Sequence, residues 1–313
     1  MNDISDSGEL FTIRNQFYTG QHSKVVAYDL DLFSPEAQLK VLEFQVRSIV
    51  ARDDDASLLI EQGKSSFPDQ EEVFSVLQAW NDLATFGTDE LTYFDDIAEA
   101  TFETQAVLTA LYLVKYHKDV DLAIALLTRF TARASENAFE LEPYLLLVQL
   151  YLFKENFAEA NKVYLKFQKL PFGARDDIVY HVLESWINSV KGQSDNISNA
   201  YYFYDELLSS DLDDDVQSKF RVLSVLFVMT LQLKHIPEAQ EILDQVAALD
   251  YKGAGTADML ANRITYEYLT NDGANVVALL RELAAADADH QFLADFKEKN
   301  ERFDAIVEKY QVI

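Results

Sequence analysis

Cysteine is absent from the 313-residue chain, which excludes disulfides, thiolate metal sites and thiol nucleophiles together. Glycine (9) and proline (5) are scarce. An all-β fold of this length needs many tight turns built from those two residues, so sandwiches and barrels are excluded. Positive charge is also short: 26 Lys and Arg stand against 53 Asp and Glu, a formal net charge of −27. Such a surface repels phosphate backbones, whose affinity for proteins comes largely from Lys and Arg displacing counterions, so no nucleic-acid partner is expected. An anionic membrane surface is disfavoured on the same ground. No long hydrophobic run is present either. The most apolar stretch, 220–233, is interrupted by Ser224, Thr230 and Gln232 and falls short of the ~20 residues that span a bilayer, so direct membrane insertion is not expected. The acidic, polar start from Met1 to Glu9 lacks the basic-then-apolar layout of a signal peptide. With the missing cysteine, this fits a cytoplasmic protein.

What is present is apolar material for a core: 49% of the residues are hydrophobic and 12% aromatic. That excludes a disordered acidic tail. The acidic excess reads first as solubility, and second as steering toward a basic partner surface.

From about Thr101 onward the chain reads as pairs of amphipathic helices with short polar joints. Residues 144–153 are apolar almost all round, as in a helix buried between neighbours. A turn at Lys154-Glu155-Asn156 follows, then a second helix with Phe157, Ala160, Val163, Tyr164 and Phe167 at helical spacing, closed by Pro171. This order is the tetratricopeptide pattern. Its small residue sits where two helices cross most closely, and Ala160→Leu there should cost ~1–3 kcal/mol by overpacking. The same change at Ala134, a presumed helix end, should be nearly silent. The frame recurs: Ala123 before Leu126 and Leu127, Ala200 before Phe203 and Tyr204, Ala239 before Ile242 and Leu243, and Val277 before Leu280. The intervals exceed the ~34 residues of an ideal array, with the excess placed in loops such as 191–198.

The N-terminal third is less regular. Leu10, Ile13 and Phe17 share one helical face, Gly20 turns the chain into a helix carrying Val25, Val26 and Leu30, and Pro35 opens the next helix. Asp53-Asp54-Asp55 reads as an acidic turn before Leu58 and Leu59. Between Thr85 and Thr101 the register is lost. The far end carries Phe292, Phe296, Phe303, Ile306, Val307 and Tyr310 on one face of a helix, with Lys297, Glu298, Lys299, Glu301 and Arg302 on the other, the pattern of a capping helix. The expected fold is therefore all-α: one tetratricopeptide-like solenoid of helical hairpins over 1–313. Its parts are irregular N-terminal repeats (1–100), regular helix pairs (101–289) and a C-terminal capping helix (290–313).

No arrangement points to chemistry. His22, His117, His181, His235 and His290 are scattered and fit no metal-ligand spacing, so no metal is expected. Asp211, Asp213 and Asp215 resemble the first half of a calcium loop, but Gln217 and Val222 stand near or at the positions that need glycine and glutamate. Those aspartates fit a helix N-terminus better. Gly253-Ala254-Gly255 precedes no Lys-Ser pair and follows no strand, so it is no phosphate loop and no cofactor is expected. No nucleophile elbow or triad is recognisable. An enzyme of this helical class would need convergent polar groups in a pocket.

Several strings together resemble the epsilon subunit family of coatomer. They are Glu9-Leu10-Phe11, Asn15-Gln16-Phe17-Tyr18-Thr19-Gly20, Ser34-Pro35-Glu36, Ala200-Tyr201-Tyr202-Phe203-Tyr204-Asp205-Glu206, and the pattern from His290-Gln291-Phe292 to Phe303-Asp304 and Tyr310. The order is right over nearly the whole chain. Gln291 stands where that family suggests proline, and 87–100 aligns poorly. The resemblance implies a non-enzymatic subunit of the COPI coat, with repeats curled into a closed bracelet that grips a hairpin in the C-terminal region of the alpha subunit. It also implies a peripheral place on Golgi and COPI-coated vesicle membranes, acting in Golgi-to-ER retrograde and intra-Golgi transport.

In such arrays the first helices of successive pairs line the concave surface. That register places Leu108, Tyr112, Leu145, Gln149, Leu152, Tyr180, Ile187, Val228, Leu231 and Tyr266 as candidate partner-binding residues. Each leucine serves equally well as packing against the next repeat, whereas Tyr112 and Tyr266 offer both apolar area and a hydrogen-bonding tip. An alternative is another tetratricopeptide adaptor, such as a co-chaperone that clamps acidic tails. That role requires a basic, asparagine-lined groove, for which the inner faces offer only Lys115, Arg221 and Asn262.

Overall fold

Helix ends in this chain are fixed by local chemistry that the sequence spells out. Pro35 occupies the first turn of its helix behind an extended Ser34, a place where its missing N–H costs nothing. Asp177 and Asp215 each accept a hydrogen bond at a helix start, from the N–H of Val179 (2.9 Å) and of Ser218 (3.0 Å). Gly87 and Gly192 end their helices in the left-handed region, at φ of 77° and 73°, where a side chain would be strained. In the 154–156 turn Glu155 takes a positive φ, and Asn156 Oδ1 accepts from the Glu159 N–H at 3.3 Å.

The computed structural model describes residues 6–88, 93–133, 140–167, 169, 175–209, 212 and 215–310. Among the described residues all regular structure is helical. The α-helices are α1 (Asp6–Tyr18), α2 (His22–Val26), α3 (Pro35–Ala51), α4 (Ser57–Ser66), α5 (Glu71–Phe86), α6 (Glu103–Lys115), α7 (Val120–Arg133) and α8 (Glu142–Phe153). They continue as α9 (Phe157–Phe167), α10 (Ile178–Lys191), α11 (Ser194–Ser209), α12 (Val216–Leu233), α13 (Ile236–Ala248), α14 (Thr256–Thr270), α15 (Val276–Ala286) and α16 (Gln291–Tyr310). A short 3-10 turn covers Leu30–Leu32. Ala134, Pro171, Asp211 and Asp213, to which the sequence assigns turn or helix-end roles, lie outside the described residues.

The helical-hairpin reading holds: α6 packs on α7, α8 on α9, α12 on α13 and α14 on α15. Ala123, Ala160 and Ala239 are fully buried and Ala200 nearly so, as the close crossings require. Some details differ. Val277 is 62% exposed, and α15 packs through Val276, Leu279 and Leu283 instead. The assigned frame is one residue out there, because two adjacent valines offer the same pattern. The supposed loop 191–198 is mostly helix, with α10 and α11 separated only by Gly192 and Gln193. In that repeat the residues from Ser194 to Ser198 belong to a helix. The helix expected to run through Val25, Val26 and Leu30 stops at Val26, and Leu58 is exposed while Ile60 is buried.

The chain divides into two units, Met1–Ala200 and Tyr201–Ile313. In the first unit the N-terminal helices are no appendage. Leu10, Ile13, Val25, Val41 and Phe44 form one core around α1 to α3. Leu42, Val46, Ile60, Phe74, Leu77, Trp80, Leu108 and Tyr112 form another that runs on into α6. Helix α1 also reaches α10. In the second unit Ala261, Ile264, Val276, Leu279 and Leu283 close the α14–α15 pair, with Phe292 and Leu293 of α16 against them. Beyond that contact, all of α16 from Lys297 to Tyr310 is exposed. The expected capping helix covers its neighbours with its first turns only. Helix α12 alone among the described residues is long and apolar enough to cross a membrane. Its Val222, Leu223, Leu226 and Phe227 are buried in the protein.

Candidate partner-binding surface

Helices α6, α8 and α10 lie side by side in the first unit, so their uncovered stripes decide what a partner there can touch. On α8 the apolar character runs all round, but burial does not. Tyr144, Leu146, Leu147, Val148 and Leu150 are buried, Leu145 and Leu152 are half-buried, and Gln149 and Phe153 are exposed. Residues 145, 149, 152 and 153 share one helical face. The open stripe of α8 thus contains all three candidates assigned to it, and gains Phe153, which is 69% exposed.

The neighbouring helices place their candidates differently. Leu108 and Tyr112 of α6 are buried. The segment whose register the sequence loses folds over this helix, stacking Phe94 on Tyr112 at 5.0 Å and setting Asp95 Oδ1 2.8 Å from the tyrosine hydroxyl. His117 Nε2 lies 2.8 Å from the same hydroxyl. The tip expected to meet a partner is spent inside the protein. On α10, Ile187 is fully buried, and Tyr180 is buried with its ring stacked on Phe167 at 5.6 Å. Towards solvent on α10 stand His181 and Val190, exposed, and Asn188, half-buried; His181 and Asn188 are each one residue along from an assigned position. In the second unit Val228 and Leu231 are half-buried on the stripe that also holds Arg221, Ser224 and Val225. Tyr266 faces α13, its hydroxyl donating to Gln240 Oε1 at 2.9 Å, on the wall of a cavity of about 320 Å³ with Asp244, Arg263 and Asn271. Glu267 beside it accepts hydrogen bonds from Asn271 and from the Asn275 backbone and side chain. Those bonds hold its carboxyl below the usual glutamate range and serve the α14–α15 turn.

A buried ionic network, invisible in the sequence, joins the N-terminal helices to the repeats of the first unit. Leu141 cannot cap α8, and the first N–H of that helix, on Glu142, is taken instead by Glu103 Oε1 from α6 at 3.2 Å. The Glu142 carboxylate receives Arg47 of α3 on both oxygens, one of these bonds at 2.8 Å, and the Tyr18 hydroxyl of α1 at 3.2 Å. Arg47 lies 4.6 Å over the Phe17 ring. Arg14 of α1 pairs with Asp177, the α10 cap, at 2.7 Å. Lys40 reaches Glu103 at 3.0 Å and Glu43 at 3.2 Å, and Thr104 donates to Glu43. Burial pushes the Glu103 carboxyl up, but Lys40, Arg14 and the Glu142 N–H outweigh it and leave it below its ordinary range. Burial, and then the Glu142 and Glu103 charges, push the Tyr18 hydroxyl well up. Near neutrality Glu103 stays ionised and Tyr18 protonated. The network fastens helices; opposite charges face each other throughout.

Among the described residues no group of His, Asp or Glu gathers as a metal site. Lys115, offered for a carboxylate clamp, sits 5.4 Å over the Trp80 ring.

A solved APC/C hetero-tetramer of Cut9 and Hcn1 contains a similar chain at 15% identity and a TM-score of 0.56, aligned over 96% of the present chain. The present chain spans 57% of the length of that one, and the likeness establishes the helical-repeat fold alone. The family of the coatomer epsilon subunit matches residues 6–311, nearly the whole length, and the chain belongs to that family.

Proposed function

We propose that this chain is a non-catalytic structural subunit of the COPI coat that binds the C-terminal region of the alpha coatomer subunit. In this reading it acts in Golgi-to-ER retrograde and intra-Golgi transport, in the cytoplasm and peripherally on Golgi and COPI-coated vesicle membranes through the coat. Membership of the coatomer epsilon family supports the coat. The single observation that supports a gripping surface is the open apolar stripe of α8, Leu145, Gln149, Leu152 and Phe153, in a helix otherwise buried. A non-catalytic role is supported by ionisable groups that are tied into helix-fastening pairs.

The test is a pull-down with the C-terminal region of alpha coatomer. Leu152→Asp sets a charge in what would be the desolvated centre of the interface, where several kcal/mol is the scale of the loss, so binding should fall by roughly a hundredfold or more. Helicity should persist, since Leu152 is only half-buried. Leu122→Asp, on the exposed face of α7, should bind normally. Tyr112→Asp should unfold its region, because Tyr112 is buried. A folded Leu152→Asp protein that still captures the alpha fragment at wild-type affinity would remove the α8 stripe from the interface.

A further inference from the structure

Helix α16 carries an apolar seam of a particular period. Phe292, Phe296, Phe303, Ile306 and Tyr310 follow one another in steps that fit alternating intervals of four and three, with Lys299 filling the position between Phe296 and Phe303. That is the a/d spacing of a coiled coil, narrower than the stripe by which a helix lies on a globular core. Only the first turns are used: Phe292 packs against the α14–α15 core and stacks with Phe296. Phe303, Ile306 and Tyr310 are 63%, 50% and 69% exposed. The seam from Phe296 to Tyr310 runs for roughly 20 Å at 1.5 Å per residue, a length that suits about two heptads of a partner helix.

The charges around the seam select the partner. On one flank Asp295 stands before Phe296, next to the packed first turns, and along the exposed half Arg302 and Lys309 each stand one position before a seam aromatic, with Lys299 in the seam itself. The opposite flank holds Asn300 and Val307, while Glu298, Glu301, Asp304 and Glu308 occupy outer positions. On a chain of net charge −27, this seam is bordered by cations. We propose that the exposed half of α16 is a docking surface for an amphipathic helix of another protein, one with an apolar a/d seam flanked by Asp or Glu. Flanking charges of opposite sign set partner choice in such pairs. A second copy of this chain fits poorly. Antiparallel pairing would face Arg302 and Lys309 with the same cations, and parallel pairing would face them with Asn300 and Val307. A lipid surface fits poorly too, because the helix carries more carboxylates than cations. The inference rests on this helix alone and goes beyond the binding of alpha coatomer.

The experiment uses the full chain and two labelled 21-residue peptides with leucine at a and d, one with Glu and the other with Lys at the flanking positions. Fluorescence anisotropy should show the Glu-flanked peptide binding at least tenfold more tightly than the Lys-flanked one. Phe303→Asp should weaken that binding at least tenfold with an unchanged melting curve, since the side chain is exposed. The double change Arg302→Glu and Lys309→Glu should reverse the peptide preference. Equal binding of the two peptides, no binding of either, or insensitivity to Phe303→Asp would overturn the proposal. So would sedimentation showing self-association that Phe303→Asp abolishes, or flotation on phosphatidylserine-containing vesicles that the same variant abolishes.

Discussion

Replacing Arg47 with methionine should be among the most damaging single changes in the first unit. Arg47 and Glu142 are both buried, 95 residues apart in sequence, and joined by a fork of two hydrogen bonds, one of 2.8 Å. Methionine keeps the contact with Phe17 but strands the Glu142 carboxylate, whose remaining side-chain partner is the Tyr18 hydroxyl at 3.2 Å. Breaking a buried pair from one side costs ~3–5 kcal/mol, because the desolvated charge that remains has no counterion. Glu142→Gln should cost a comparable amount by stranding Arg47. The double variant Arg47→Met with Glu142→Gln removes both charges and keeps an amide oxygen for Tyr18, so it should lose less than either single variant. The amount by which the double falls short of the sum of the two singles is the coupling energy, at least ~3 kcal/mol, at the top of the range for residues in direct contact. Both tryptophans, Trp80 and Trp186, lie in the first unit, so denaturant unfolding followed by tryptophan fluorescence reports the right region. At ~2–4 °C per kcal/mol for a unit of this size, the single variants should melt roughly 6–20 °C lower. If the double variant loses the sum of the two singles, the pair is not a coupled buried ion pair and the fastening role fails.

Gly63→Ala should destabilise, although alanine is the better helix former by about 1 kcal/mol. The added Cβ would collide with Cε1 and Cζ of Phe74, itself buried, at ~1–3 kcal/mol. Gly8→Ala meets nothing within 4 Å and should stabilise by ~0.5–1 kcal/mol; paired thermal melts check both signs. Glu103 has a folded-state pKa below its unfolded one, so its contribution is present above the ordinary glutamate range and is lost as pH falls through the folded value. Glu103→Gln should therefore melt below wild type at neutral pH, and the gap should close in acid below that range. A gap that widens in acid would refute the sign.

The sequence by itself determined the helical class, the pairing of helices and the closest crossings. Each rests on local information: the spacing of apolar residues at 3.6 per turn, and a small residue wherever two backbones must approach, as at Ala123, Ala160 and Ala239. The helix start at Asp215 and the proline-opened start at Pro35 were legible for the same reason. The inward stripe of α8 follows from the repeat register, since a helix apolar almost all round marks no face by period alone. Tertiary structure decided what covers a face. Leu108 and Tyr112 carry the same pattern as Leu145 and Gln149, yet the 93–96 segment folds over the former pair and leaves the latter open. On α10 the choice between Tyr180 and His181 as the outward residue depended on where α9 lies. The ionic network was unreadable because Tyr18 and Glu142 are 124 residues apart, and no local rule pairs one acid among 53 with a given arginine or tyrosine. The bareness of α16 was equally hidden: an amphipathic helix states that it needs an apolar neighbour, and only the fold shows that this chain supplies one to its first turns alone.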